Sequence, residues 1–228
     1  MLAPGNKENN LAKLGLIRIK QAELSDIDGM AHCHITCFPE LFTNHMGLPF
    51  ARSFYKTYLS RTDGLAFVAV DQTSKQVVGL IAGGHPDIRY NFLRRAGIRF
   101  LGTLLFKCLV DRVVRAKLIN QLAKLLGLNR ASDTTDDVFQ QRPCETEENG
   151  VLLQVICVLD EYRRMGVGKK LIQAFECACQ QSGCGTLNLN VASNNTAAIA
   201  FYRKLGWKVV IEKAGSVHMK TIIADRYG

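Results

Sequence analysis

The sequence predicts a single α/β domain whose mixed, mainly antiparallel sheet is flanked by helices. Three observations carry this. An apolar run at 151–159 has strand length and β-branched content, and a helical pattern follows it across a short turn. A second strand–helix–strand unit occupies 186–211. The N-terminal part reads as a strand, two helices and a hairpin, so local antiparallel pairing is expected there.

The central unit organises the rest. After the apolar run the chain reads Asp160-Glu161-Tyr162-Arg163-Arg164-Met165-Gly166-Val167-Gly168. Then Leu171, Phe175, Ala178 and Cys179 recur at spacings of three and four, as on one face of a helix. The first amides of a helix lack internal partners, and the helix dipole adds positive potential there. Gly166 and Gly168 leave the backbone open, and Arg163, Arg164, Lys169 and Lys170 surround the turn with positive charge. Such a turn suits a pyrophosphate; the same pattern also serves an ordinary tight strand-to-helix turn.

A second stretch sharpens the reading. Residues 186–191 form a strand pattern and 195–205 a helix, which Gly206-Trp207 ends before the strand at 208–211. The run 158–168 resembles the acetyl-coenzyme A signature of the GNAT N-acetyltransferases, Arg/Gln-x-x-Gly-x-Gly/Ala. Asn195, Ala198, Tyr202, Gly206 and Trp207 resemble the second signature of that family, in family order and spacing. The likeness covers about the C-terminal third. Asp160 stands where the family often has proline.

The resemblance implies a GNAT-like acyl-CoA N-acyltransferase fold with acetyl-CoA as cosubstrate. Its diphosphate is expected on the backbone of residues 163–169, which include Arg163, Arg164, Met165, Gly166, Val167, Gly168 and Lys169. The pantetheine arm is expected along the edge formed by Ile156, Cys157 and Val158, where one amide would face the thioester oxygen. Tyr202 matches the family tyrosine near the coenzyme sulfur; a phenol is protonated at neutral pH and can donate to a departing thiolate. Asn195 is expected as a helix cap, a partner of the cofactor arm, or both. Phe201 is expected in the core with cofactor contact.

Composition bounds the alternatives. The chain has 228 residues, 47% apolar, enough for one substantial core. Residues 1–15 read as a polar tail and 16–228 as one N-acetyltransferase domain. Eight cysteines lack paired spacing and no signal peptide is apparent, which predicts a cytoplasmic chain with reduced thiols. The net charge of +9 is uneven: residues 89–130 hold ten Lys/Arg against one acid, Asp111. Aromatic interleaving and a reading motif are lacking, so a nucleic-acid partner is not expected.

The remaining elements follow in order. Residues 16–22 alternate as a half-buried strand. Ser25-Asp26 are placed to cap a helix over 27–37, which Phe38-Pro39 ends. A helix over 50–59 carries Phe54, Tyr55 and Tyr58, and strands at 65–70 and 77–83 form a hairpin. Residues 84–150 form a long helical and loop insertion before the central strand. Within it 92–127 reads as helical, with Gly97 and Gly102 as break points and Lys107, Asp111 and Arg115 on one face. This basic, apolar segment is expected to pack on the domain or to form a flap that meets an anionic substrate or a membrane surface. Residues 132–149 read as an acidic surface loop, and 216–223 as a last strand pairing with 208–211.

The function this implies is direct transfer of an acetyl group to a primary amine, the acceptor being a small molecule or amino sugar. A protein lysine or N-terminal acceptor is the alternative, and a non-catalytic acyl-CoA sensor is the reading from another class. No general base is assigned: Glu145, Glu147, Glu148 and Tyr55 lack a spacing argument. His32, Cys33, His34 and Cys37 offer metal-ligating chemistry without a second ligand pair, so no metal is expected and Cys157 reads as packing.

Overall fold

Alternating side chains set the layers. The computed structural model describes residues 15–112, 114–116, 119, 150–213 and 215–223. Seven strands, β1 (Ile17–Gln21), β2 (Gly64–Asp71), β3 (Val77–Gly84), β4 (Gly150–Val158), β5 (Thr186–Ala192), β6 (Lys208–Lys213) and β7 (Ser216–Ile222), form one sheet. Their order is β1-β2-β3-β4-β5-β7-β6. Every neighbouring pair is antiparallel except β4 with β5. In β2, β3 and β4 alternate residues enter opposite cores, as the pleat requires. Phe67, Ile81, Ile156 and Val158 meet one core. Val68, Leu80, Val155 and Cys157 meet the other.

Helices cover both faces. α1 (Ile27–Cys37), α2 (Phe42–Met46), α3 (Leu48–Leu59), α4 (Asp87–Arg99) and α5 (Leu101–Val110) precede β4. α6 (Val167–Gln181) and α7 (Thr196–Lys204) follow it. α1, α3 and α4 bury Met30, Cys33, Phe50, Phe54, Tyr55, Tyr58 and Phe92 on one side. α6 and α7 bury Leu171, Ile172, Phe175 and Tyr202 on the other. Burying each of these large side chains contributes about 1.5–3 kcal/mol. Gly83 permits the close approach of β3 to β4 and α6, since a Cβ there would lie 2.4 Å from the Leu152 carbonyl oxygen and 2.7 Å from the Phe175 ring.

The elements expected from the pattern appear within two residues of their predicted ends, with three departures. Asp26 stands at the N-cap position of α1, but its side chain caps nothing there: it closes a 3₁₀ turn (Leu24–Asp26), its Oδ2 accepting the Glu23 amide at 2.9 Å and an ion pair from Lys20 at 2.8 Å. The segment at 92–127 is not one helix, and its breaks are not at glycine. Gly97 and Gly102 lie inside α4 and α5; the chain bends at Phe100, whose ring packs 5.3 Å from Phe50, and at Asp111. Asp111 has extended backbone, and its carboxylate meets His45 at 2.9 Å and the Val114 amide at 3.3 Å. Local bonding of this kind competes with helix, so Lys107, Asp111 and Arg115 do not share one helical face. Third, Ala178 is only half-buried, while Glu176 is buried in α6. The acidic loop, residues 1–14 of the expected tail and most of 113–127 lie outside the described residues.

Among the described residues no helix is long and apolar enough to cross a membrane. α5 nonetheless leaves Leu101, Leu105, Phe106, Leu109 and Val110 exposed.

Candidate active site

The site begins where two parallel strands part. Residues 150–153 of β4 pair with 186–189 of β5, and no pairing continues beyond Leu153 and Leu189. β4 nonetheless runs to Val158 and β5 to Ala192. β4 stays paired with β3 as far as Val158 opposite Gly79, so it is the β5 side that opens. A bulge accompanies the parting: Gly83 opposes Leu153 and Ala82 opposes Val155, which leaves Gln154 as an extra residue. Its Oε1 is buried without a hydrogen bond among the described residues. Ile156, Cys157 and Val158 therefore lie on the strand whose second edge is free, where the sequence reading placed them.

At the end of β4 a 3₁₀ turn (Asp160–Tyr162) leads into α6. Tyr162 anchors it, its hydroxyl donating to Asp71 Oδ2 at 2.8 Å, which pushes the phenol up to about 12. Arg164 (φ 61°) and Gly166 (φ 90°) both adopt left-handed backbone. That conformation is strained for arginine and free for glycine. The turn leaves backbone donors available: the amides of residues 164–169 form no close hydrogen bond among the described residues. Six consecutive free donors at a helix start are the cradle a diphosphate needs. Arg164 and Lys169 are exposed beside them, while Met165 and Val167 pack inward.

Arg163 acts differently from its neighbours. Its Nε donates to the Val158 carbonyl at 2.9 Å and its guanidinium pairs with Asp160 at 2.8 Å. Asp160, the residue standing where proline is common in the family pattern, thus braces the turn through Arg163. Both partners are at least half exposed, so the pair contributes about 0–1 kcal/mol.

The second signature closes the other wall. Asn195 caps α7, its Oδ1 accepting the Ala198 amide at 3.1 Å. Phe201 is half-buried, with a ring carbon 3.4 Å from where a Cβ on Gly168 would stand, so α7 borders the phosphate turn. Tyr202 is buried between Phe201 and Trp207 at ring distances of 5.5 and 5.6 Å. Burial pushes its phenol above the ordinary value of about 10, so it keeps its proton at neutral pH.

Tyr55 is fully buried, its hydroxyl 2.6 Å from His34 Nδ1, and so belongs to the core; Glu145, Glu147 and Glu148 lie outside the described residues. A histidine that the sequence reading passed over stands on the opened sheet instead. Leu187, Leu189 and Val191 of β5 and Val217 and Met219 of β7 face the α6 core. Asn190 and His218, which pair across the two strands, therefore share the other face, that of α1 and α3. His218 Nδ1 lies 3.0 Å from Asn190 Oδ1. An amide oxygen only accepts, so Nδ1 carries the hydrogen and Nε2 keeps its lone pair. Burial, then Lys220 and Lys213, lower the imidazole below its ordinary value, so it is neutral at pH 7. The signal in the sequence is the alternation Leu187-Asn188-Leu189-Asn190-Val191, which puts amides on the non-core face.

Comparison with known proteins agrees with this geometry. Residues 27–207 match the acetyltransferase (GNAT) family, and the chain belongs to it. Acetyl-CoA is the cosubstrate of that family. The mycothiol acetyltransferase of Corynebacterium jeikeium strain K411 is 28% identical over 106 residues, 40% of this chain and 31% of that one. The Bacillus subtilis N-acetyltransferase YjcF is 38% identical over 72 residues, 30% of this chain and 49% of its own length. The matched regions thus span less than half of these relatives. Among solved structures, the PaiA N-acetyltransferase of Thermoplasma acidophilum in complex with coenzyme A superposes with a TM-score of 0.53 at 14% identity, covering 90% of this chain and 98% of that one. The ribosomal-protein-S18-alanine N-acetyltransferase of Escherichia coli gives 0.53 at 15%, covering 91% and 94%. At these identities the structures show the fold alone.

Proposed function

We propose that this protein transfers the acetyl group of acetyl-CoA directly to the primary amine of a small molecule carrying an anionic group, such as a phosphorylated amine or amino sugar. The opening between β4 and β5 carries this reading, because it leaves free backbone beside a turn of six unpaired amides. Residues 164–169 hold the diphosphate. The free edge at 156–158 aligns the pantetheine arm, and one of its amides receives the developing oxyanion. His218 takes the proton from the attacking amine, with Asn190 as the positioning residue that fixes its tautomer. Tyr202 returns a proton to the leaving sulfur.

The acceptor class is supported by a cavity of about 350 Å³ between α3 and α4. Lys56, Arg95 and Arg99 line it with Ser53, Thr57 and Ser60, together with Arg61, whose guanidinium is paired with Asp63 at 2.7 Å. Such a surface attracts phosphate or carboxylate groups.

A thiol-release assay across neutral amines, phosphorylated amines, amino sugars and a lysine peptide tests the reading. Turnover is expected to be fastest with an anionic small amine. A thermal shift with acetyl-CoA but no thiol released from any amine would leave a sensor. The His218→Gln variant is expected to lower kcat/KM by about 100-fold. Wild-type activity should fall as pH drops through a value below 6.5, because protonation removes the acceptor lone pair. The variant should lose that acid limb; an unchanged limb assigns it to another group.

A second reading adds to this one. The exposed apolar side of α5 stands beside Lys107, which favours the membrane contact expected of 92–127. Sedimentation with acidic vesicles should deplete the wild type and spare a Leu105→Glu, Leu109→Glu variant; equal behaviour rejects the contact.

A further inference from the structure

Two cysteines of α1 and a third, distant in sequence, meet behind the opened strand. Cys33 and Cys37 stand one turn apart on α1, and Cys157 projects from β4 to the same side. Their sulfur atoms all lie within 4.8 Å of one another, and Cys33 and Cys157 are 3.9 Å apart. Ligands about 2.3 Å from a zinc ion with tetrahedral angles place their sulfurs about 3.8 Å from each other. Cys33 and Cys157 therefore already have the spacing of a metal's coordination sphere, and no sulfur pair exceeds it by more than about 1 Å.

The surroundings fit a cation of definite charge. Cys33 and Cys157 are buried, and Cys37 is half-buried. Arg163 nearby is already paired with Asp160, so three thiolates would carry a charge that a divalent ion offsets more fully than a monovalent one. In a buried site that difference is large. Thiolate ligands in turn select thiophilic ions over magnesium or calcium. Access comes from a cavity of about 500 Å³ that Cys33 lines together with His32, Thr36, Lys75 and Gln76.

We propose that Cys33, Cys37 and Cys157 form a binding site for one divalent thiophilic cation, Zn²⁺, which ties α1 to the strand beside the proposed thioester edge. Binding displaces the protons that remain on the thiols and forms three S–Zn bonds, with no change of oxidation state. The fourth position is free for water or a ligand reaching in from the cavity.

The test is a titration of the reduced, chelator-stripped full chain with ZnCl₂ against a chromophoric competitor. One equivalent is expected. Cys37→Ser, at the half-exposed position, should weaken binding by more than about tenfold, since loss of an outer partner alone costs that much. A Cys33→Ala, Cys37→Ser double variant should bind none, and Cys177→Ser, an exposed thiol elsewhere, should bind as the wild type. Co²⁺ should give sulfur-to-metal charge-transfer absorption that Cys37→Ser diminishes. Thermal melting followed by circular dichroism verifies that each variant is folded. Failure of the wild type to bind, equal binding by a folded Cys37→Ser, or cobalt bound without sulfur absorption would each overturn the site.

Discussion

Replacing Gly168 by aspartate is expected to abolish coenzyme A binding while the fold persists. The two halves of that expectation have separate physical causes. A Cβ at Gly168 meets only Phe201 ring atoms at 3.4 and 4.0 Å and a Val158 methyl at 3.9 Å, which is ordinary van der Waals contact. No positive backbone angle makes glycine obligatory there. The carboxylate, however, arrives at the second residue of α6, among amides with no other partner. A negative side chain is favourable at a helix start, so the empty protein tolerates it. It then occupies and repels the site of a diphosphate. Loss of two charge-assisted hydrogen bonds costs about 3 kcal/mol or more, over about 100-fold in Kd. Calorimetry with coenzyme A and thermal melting, run on the same sample, separate the two halves. Unchanged affinity would move the diphosphate away from this turn.

Tyr202→Phe is expected to do the reverse, leaving cofactor affinity alone and lowering kcat by about 100-fold or more. The ring stays between Phe201 and Trp207, so packing is kept. Only the hydroxyl goes, and among the described residues that hydroxyl makes no hydrogen bond, so no structural contact goes with it. The sign of the pH effect follows from burial. Because the phenol is raised above its ordinary value, its proton stays in place through pH 10, and no alkaline loss below that pH belongs to Tyr202. An acyl donor whose thiol leaves as a stable anion needs no acid, so it should recover most of the lost rate in the variant. A variant equally slow with both donors would make Tyr202 a packing residue.

What could be read from the chain alone was local. Strand and helix periods located the elements because each depends on neighbours a few residues away. The turn at 163–169 was legible for the same reason, since a free amide row needs only a strand, a glycine and a helix in succession. The His218–Asn190 contact was not, because it joins residues 28 apart through strands whose order, β5-β7-β6, no pattern within either one states. The Cys33–Cys157 approach spans 124 residues, and without it the cysteines of α1 read as packing. Arg163 was grouped with the phosphate-binding cations by position, yet its side chain turns back onto Val158 and Asp160. Helix ends followed similar logic: Phe100 and Asp111 break the segment through tertiary partners, Phe50 and His45, whereas the glycines nearby do not.

The parting of β4 from β5 has a consequence for the protein before any ligand arrives. A gap inside a sheet is an edge on each side of it, here at 154–158 and 190–192. Edges left bare are templates for a stray strand from another chain, and natural sheets usually guard them with charge or proline. Neither residue type stands in these two stretches, and among the described residues the Arg163 side chain on the Val158 carbonyl is the charge that reaches this edge. Whatever fills the gap then also shields the protein against clumping, and mass action ties that protection to the supply of the occupant.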